Sequence, residues 1–420
     1  MFPFGQTAEL RWPMLARECQ PAFVHRKEIF RHQGDCAREG RVKKFQWGIL
    51  GSGFAARKFA LGLRAANDAR VLLVASRSAT KAMEFAQWFG IPHASDSYEA
   101  AANDTRVDAF YLATPPSTHR EIALLCLNAG KPVLVEKPFA QNATQAREIV
   151  EAAKARSVFC MEGMWTRFLP LVRRVKHMVD EGAIGDVRMI AGSFCAAESR
   201  HPGNKLFSSA SGGGALLDRG VYPISLAFHL LGRPDEISSE AIIGETGVDE
   251  DVAAILRYDQ GRLALISASL RTRSGNDCLI MGTRAQIRIH APIYRPYGMT
   301  VTSIHESDSA GARRSRTEFV RESHWIHGAY QRFGRFASAL LDRNATQYAE
   351  YYAGNGYHYE AEEVMACVRG GRLESTIMPL AESIDIMDAM DRMRSQWTAG
   401  ADDRQAANER CEPQQAEGNA

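Results

Sequence analysis

Residues 45–56 read FQWGILGSGFAA. An apolar run, Trp47-Gly48-Ile49-Leu50, meets Gly51-Ser52-Gly53, and Ala56 follows three residues later. This is the Gly-x-Gly-x-x-Ala pattern of a strand-to-helix turn. Gly51 permits the tight turn, Gly53 lets a pyrophosphate come close to the backbone, and Ala56 lets the helix lie close to the strand. The helix start, with Phe54 and Ala55 in its first turn, offers unpaired N–H groups and the positive end of a dipole to an anion. Gly-rich turns are common, so the surrounding chain has to carry the rest of the reading.

Working outward, residues 45–140 alternate strand and helix. Strands are expected at 45–50, 71–75, 108–113 and 132–135, with another at 158–161. Helices are expected at 55–66, 78–89, 98–102, 119–129 and 144–155. Ala79, Met83, Ala86 and Phe89 form the expected apolar face of the second helix. The strands are continuous apolar runs such as Val71-Leu72-Leu73-Val74-Ala75, as in a parallel sheet covered on both faces. After residue 160 the grammar changes. A helix at 169–181, a strand at 186–194 and a helix at 222–231 precede strands at 237–243, 251–258, 263–269, 278–282 and 285–289. Strands joined directly form a meander, so the second sheet should be mostly antiparallel. Helices are expected again at 325–352, 360–369 and 380–396.

The 420 residues suffice for two domains, and a net charge of +2 gives no excess that would draw nucleic acid or a membrane surface. Apolar runs are strand-sized, so no membrane span is expected. Eight cysteines without a C-x-x-C pair read as reduced thiols of a cytoplasmic protein. Residues 1–43 lack a secretory signal and read as an N-terminal extension, a poorly ordered arm or an overlong start, Met14 being internal. Residues 398–420, rich in Asp, Gln, Glu, Asn and Ala, read as a disordered tail.

The ends of the later strands test the opening motif, because ligands of open α/β sheets bind beyond them. The second strand ends in Ser76-Arg77, where an NAD site would carry an acid for the ribose. Arg77 suits a 2′-phosphate, with Ser76 or Ser78 as donor, so NADP is favoured over NAD. Thr114-Pro115-Pro116 with His119 ends another strand, and Glu136-Lys137-Pro138 a third. A lysine there can donate to a reacting oxygen or lower the pKa of a neighbouring acid. His119 reads as a residue that orients its loop, and with Thr114, Pro115 and Glu136 it is expected among the cofactor-binding residues.

Together these stretches resemble the glucose–fructose oxidoreductase / inositol dehydrogenase / rhizopine-catabolism (Gfo/Idh/MocA) superfamily. Glu162-Gly163-Met164-Trp165-Thr166-Arg167-Phe168, the run from Gly212 to Pro223, GNGYHYEAEEV at 354–364 and Leu373-Glu374-Ser375 narrow the resemblance to the dimeric dihydrodiol dehydrogenase branch, which includes NADP-dependent D-xylose dehydrogenases. It covers about residues 43–397. The resemblance implies an α/β chain: a Rossmann dinucleotide-binding domain over 44–163, and over 164–397 a substrate-binding and dimerisation domain with a large, mostly antiparallel open-faced sheet. It implies Lys137 as the catalytic lysine, Tyr222 as general acid/base and Asp218 as its companion. A Tyr at 222, where the inositol dehydrogenase branch has His, supports the dihydrodiol/sugar branch. Asp218 and Tyr222 would lie one helical turn apart, and Lys137 would lower the tyrosine pKa. Trp165 and Arg167 follow the domain crossover and are expected to line the cleft, Arg167 on a cofactor phosphate or a substrate hydroxyl, or else in a buried ion pair. The glycines 212–214 would let backbone approach the substrate.

The dispersed histidines form no metal site, and Arg313, Arg314, Arg316 and Arg321 read as a solvated loop. The stretch 327–352 reads as an extra amphipathic helix. The first expectation is an NADP-dependent oxidoreductase acting on a polyol, aldose or trans-dihydrodiol, as a homodimer through the C-terminal sheet. The second is a ketoreductase of a modified or nucleotide-linked sugar. The third is a non-catalytic sensor of dinucleotide and sugar, against which Lys137, Asp218 and Tyr222 argue.

Overall fold

The computed structural model describes residues 44–201, 203–304 and 345–411, with side chains as far as Trp397. The first sheet is six-stranded: β1 (Phe45–Leu50), β2 (Ala69–Ala75), β3 (His93–Ser95), β4 (Ala109–Leu112), β5 (Val133–Glu136) and β6 (Cys160–Gly163). Every pairing in it is parallel, and the order is β3-β2-β1-β4-β5-β6. All residues of β1, β4, β5 and β6 are buried, which is why these strands carry no polar alternation. The helices between them are α1 (Phe54–Gly62), α2 (Ala79–Phe89), α3 (Tyr98–Ala102), α4 (His119–Asn128) and α5 (Ala143–Arg156). Strand order reverses between β1 and β4, and this is where a crevice opens at the carboxyl ends.

A 3-10 turn (Trp165–Phe168) and α6 (Pro170–Asp180) lead into the second sheet. Its strands are β7 (Val187–Cys195), β8 (Glu236–Ile243), β9 (Asp249–Tyr258), β10 (Arg262–Ser269), β11 (Cys278–Gly282), β12 (Ala285–Ile289), β13 (Gly298–Ser303) and β14 (Ala345–Ala349). Their order is β14-β13-β12-β11-β7-β10-β9-β8, antiparallel except for the parallel β7–β10 pair. Among the described residues, three further helices complete the fold: α7 (Val221–Leu231), α8 (Tyr357–Arg369) and α9 (Leu380–Cys411). α9 ties both sheets together. Asp391 Oδ2 accepts from Ala143 N at the start of α5 (2.7 Å), and Gln396 Oε1 from Ser239 N in β8 (2.7 Å).

Several expectations are corrected. β3, β13 and β14 are strands that the sequence reading passed over; β3 is three residues of polar edge, too short to show a period. Residues 345–349 pair with β13 instead of continuing a helix, 350–352 are not helical either, and 325–344 lie outside the described residues, as do 1–43 and 412–420. α9 continues to Cys411, so 398–411 are helical and not tail; the Ala, Arg, Gln and Glu there are good helix formers. The buried face of α2 is Ala82, Phe85 and Ala86, and Met83 stands exposed.

Candidate active site

The turn after β1 is shaped by Gly51, whose φ is +109°; a Cβ there would lie 2.6 Å from the Ala113 carbonyl oxygen at the end of β4. Gly53 is the N-cap of α1 and supplies no side chain to its free N–H groups, nor does any acid occupy the first turn. The positive helix end is therefore left to a ligand. From here a cleft of about 1170 Å³ runs past the ends of β1, β2, β4 and β5 into the second domain.

Gly51, Ser52, Gly53, Phe54 and Ala55 line its first stretch. Ser76 and Arg77 line the flank beyond β2, with the Ser52 hydroxyl 3.4 Å from that of Ser76. Ser78 instead caps α2, accepting from Lys81 N (3.4 Å). Thr114 and Pro115 line the middle, and Glu136, Lys137, Trp165, Asp218 and Tyr222 meet further in. Two expected cofactor residues are not in the cleft. The imidazole of His119 is wholly buried between the carbonyls of Pro138 (3.0 Å) and Thr114 (2.9 Å), and burial pulls its pKa down. It ties the β4 and β5 loops together. Arg167 is 1% exposed, bound to Ser225 Oγ (2.8 Å), Ser225 O (2.7 Å) and Glu382 Oε1 (2.6 Å). That is the buried ion pair, anchoring α7 to α9.

Lys137 Nζ donates to Asp218 Oδ1 (2.9 Å) and to Asp218 O (2.8 Å), and lies 4.8 Å from the Tyr222 ring centroid. A π-helical turn, Leu216–Gly220, runs directly into α7 and brings Asp218 and Tyr222 towards the same lysine. Burial disfavours the charge on Lys137, but Asp218, Tyr222 and Glu136 outweigh it and raise its pKa, so the ammonium is held charged. For Asp218, burial is offset by Lys137 and Arg219, and its pKa is lowered. Tyr222 corrects an expectation. Lys137 does lower its pKa, but burial is the larger effect and the phenol is pushed up to about 12. Burial likewise takes Glu136 up to about 7 against the pull of Lys137, and its carboxylate accepts from the Tyr111 hydroxyl.

Around Tyr222 the cleft is aromatic. Trp165 Nε1 donates to the Tyr222 oxygen (3.3 Å), and Trp165 stacks on Tyr357 at 4.6 Å. Phe194 lies 5.5 Å from Tyr222 and 4.9 Å from Tyr294. Arg219 is bound by Glu198, by Asp218 (3.6 Å) and by the Ser269 carbonyl (2.8 Å). The glycine triplet packs the chain against itself: a Cβ at Gly213 would meet the Leu206 carbonyl at 2.4 Å and one at Gly214 the Asp249 carboxylate at 2.2 Å. Gly212 and Gly213 still face the cleft. Sequence reading missed Arg57, Trp88, Tyr294, Arg295 and Tyr357 as lining residues. Only Tyr357 carried a signal, lying in the 354–364 stretch. Among the described residues no three His, Cys, Asp or Glu side chains are grouped to hold a metal, and no helix is long and apolar enough to cross a membrane.

Residues 45–164 match the family described as oxidoreductase, NAD-binding Rossmann fold (GFO_IDH_MocA), and residues 172–288 match the GFO/IDH/MocA C-terminal domain. The chain belongs to the Gfo/Idh/MocA oxidoreductase family. It is 32% identical over 355 residues to the trans-1,2-dihydrobenzene-1,2-diol dehydrogenase of Xenopus tropicalis, covering 84% of this chain and 97% of the relative. The bovine (Bos taurus) protein of the same name is 31% identical over 353 residues, 83% of this chain and 96% of the relative. Two solved structures share the fold. KijD10, a 3-ketoreductase from Actinomadura kijaniata in complex with NADP and TDP-benzene, has a TM-score of 0.68 at 24% identity over 84% of this chain and 97% of its own. The aldose–aldose oxidoreductase of Caulobacter crescentus complexed with glycerol has a TM-score of 0.70 at 19% identity over 85% and 98%.

Proposed function

We propose that the protein is an NADP-dependent oxidoreductase acting on a carbinol or carbonyl of a sugar, polyol or trans-dihydrodiol. The observation that carries this is the convergence of Lys137, Asp218 and Tyr222 in the cleft that starts at the Gly51 turn. The residues fit a dinucleotide: the α1 N-terminus has no protein anion, and Arg77 stands at the end of β2 where an NAD site would place an acid. Gly51, Ser52, Gly53, Phe54 and Ala55 would hold the pyrophosphate, and Ser76 with Arg77 the ribose 2′-phosphate. Thr114, Pro115, Glu136, Lys137 and Trp165 would face its nicotinamide half. When bound, the nicotinamide accepts or supplies the hydride.

Tyr222 holds and moves the hydroxyl proton. With a pKa near 12 it is a phenol at neutral pH, matched to giving a proton to a carbonyl oxygen and dependent on rising pH to take one from a carbinol. Lys137 favours the phenolate whenever that forms, and Asp218 keeps Lys137 in place. Phe194, Trp165 and Tyr294 shield the reacting oxygen from water. Trans-dihydrobenzenediol dehydrogenation in the named relatives and sugar chemistry in the fold neighbours support this substrate range. The reading includes a homodimer: Ile255 and Leu265, paired in register across β9 and β10, and Ile242 and Ile243 of β8 are exposed on the large sheet. The test is fluorescence titration with NADPH and NADH, followed by turnover on a panel of aldoses, polyols and trans-diols. Binding with no turnover on any of them would turn the reading to a sensor.

A further inference from the structure

The cations at the inner end of the cleft are nearly all used. Lys137 is committed to Asp218, and Arg219 to Glu198 and Asp218. Arg295 is the exception. It lines the cleft directly after Tyr294, whose ring lies 6.0 Å from that of Tyr222. Its Nε is buried without a hydrogen-bond acceptor, and among the described residues its guanidinium has no carboxylate partner. Its charge lies 5.6 Å over the ring of Tyr297 and also acts on the hydroxyl of Tyr352, which stacks on Tyr297; both groups are neutral. Lys205, exposed on another loop of the same domain and lining the same cleft, has no ion pair among the described residues either.

A guanidinium does not deprotonate to escape burial, and a buried N–H without an acceptor is costly. A substrate that brings an anionic oxygen to this point would satisfy Nε and the charge together, through the planar fork that fits carboxylate and phosphate oxygens. A neutral hydroxyl would supply the acceptor and leave the charge unmatched. Of the acids at this end, Asp218 and Glu198 are paired with Lys137 and Arg219 and Glu136 accepts from the Tyr111 hydroxyl, so none is left to balance Arg295.

We infer that the substrate carries an anionic oxygen group, a carboxylate or a phosphate, at a distance from its reacting carbinol, and that Arg295 binds it. This rests on the oxidoreductase reading above and names the substrate class of the same cleft: acidic derivatives of sugars or polyols. Tyr294, between Tyr222 and Arg295 in the cleft wall, would pack on the carbon chain between the two ends.

The full-length protein saturated with NADP⁺ is titrated calorimetrically with D-glucose, D-gluconate and D-glucose 6-phosphate at low salt. The charged ligands should bind on the order of 10- to 100-fold more tightly than glucose, gluconate favoured if the group is a carboxylate and the phosphate ester if it is a phosphate. Arg295→Gln should collapse that ratio to within about threefold, and Arg295→Lys should restore part of it. Equal binding of all three by the unaltered protein, binding of none, or an unchanged ratio in Arg295→Gln overturns the inference. Turnover of the same compounds separates the two readings. Efficient oxidation of glucose with no preference for charge leaves the oxidoreductase standing and removes the anion subsite. A retained charge preference without turnover of any sugar keeps the subsite and removes the oxidoreductase.

Discussion

Lys137→Met removes one charge from beside Tyr222, and its effect can be worked from the distance between them. The ammonium lies 4.8 Å from the tyrosine ring centroid. At an effective dielectric constant of about 20, a unit charge at that distance stabilises a phenolate by about 3 kcal/mol, or roughly 2 to 3 pH units. Without it the Tyr222 pKa, already pushed up to about 12, rises further. The phenolate population at a given pH then falls ~10²- to 10³-fold, while the more basic oxygen recovers part of the loss in the transfer itself. Carbinol oxidation should fall by between ~10- and ~10³-fold, and detailed balance demands the same loss in carbonyl reduction. The carboxylate of Asp218 is not orphaned, because Arg219 Nε remains 3.6 Å away. The assay is initial rates in both directions from pH 6 to 10, with dinucleotide binding and thermal unfolding as folding controls. In the unaltered enzyme oxidation should climb with pH, because the reactive phenolate grows, while reduction stays flat with Tyr222 protonated throughout. The deciding measurement is a double-mutant cycle: in a Tyr222→Phe background Lys137→Met should cost less than about threefold. A full, additive loss in that background would refute the idea that the lysine acts through the tyrosine.

Arg77→Ala should weaken NADPH binding ~10- to 100-fold and NADH binding less than about threefold, read by dinucleotide fluorescence; equal losses would remove the phosphate role. Gly51→Ala forces a side chain onto a φ of +109° and into the Ala113 carbonyl, so it should lower the unfolding midpoint and weaken both dinucleotides. Glu162 is wholly buried, and desolvation raises its pKa to about 7 against Ser383, Arg167 and the Phe139 N–H. A carboxyl whose folded pKa is raised contributes stability below about pH 4.5 that is lost as pH rises through 7. Glu162→Gln should therefore abolish that loss, at most about 3 kcal/mol between pH 5 and 8 in urea unfolding; an unchanged pH dependence would assign it to other groups.

The parts of the site legible in the sequence are those built by short-range geometry. The Gly51-x-Gly53-x-x-Ala56 turn, the Arg77 strand end and the Lys137 loop each lie where a strand stops, and a strand's stop is written in local composition. The parallel sheet followed from its apolar runs for the same reason. Strands β13 and β14 did not follow, because both alternate only weakly and β14 finds its partner, β13, across residues remote in the chain.

The sequence alone determined the two-domain α/β order, the glycine turn after the first strand and the residue types able to move a proton. Tertiary structure decided which of them face the cleft. His119 and Arg167 stand among promising neighbours in the sequence, yet His119 is enclosed by carbonyls 5 and 19 positions away and Arg167 by partners up to 215 away. Tyr294 and Arg295 had no motif and lie in the wall. The same holds for the proton on Tyr222: Lys137 was visible, but the burial that outweighs it comes from side chains of several elements. A charge's sign is a property of its residue, whereas its solvation and its partners are properties of the space around it.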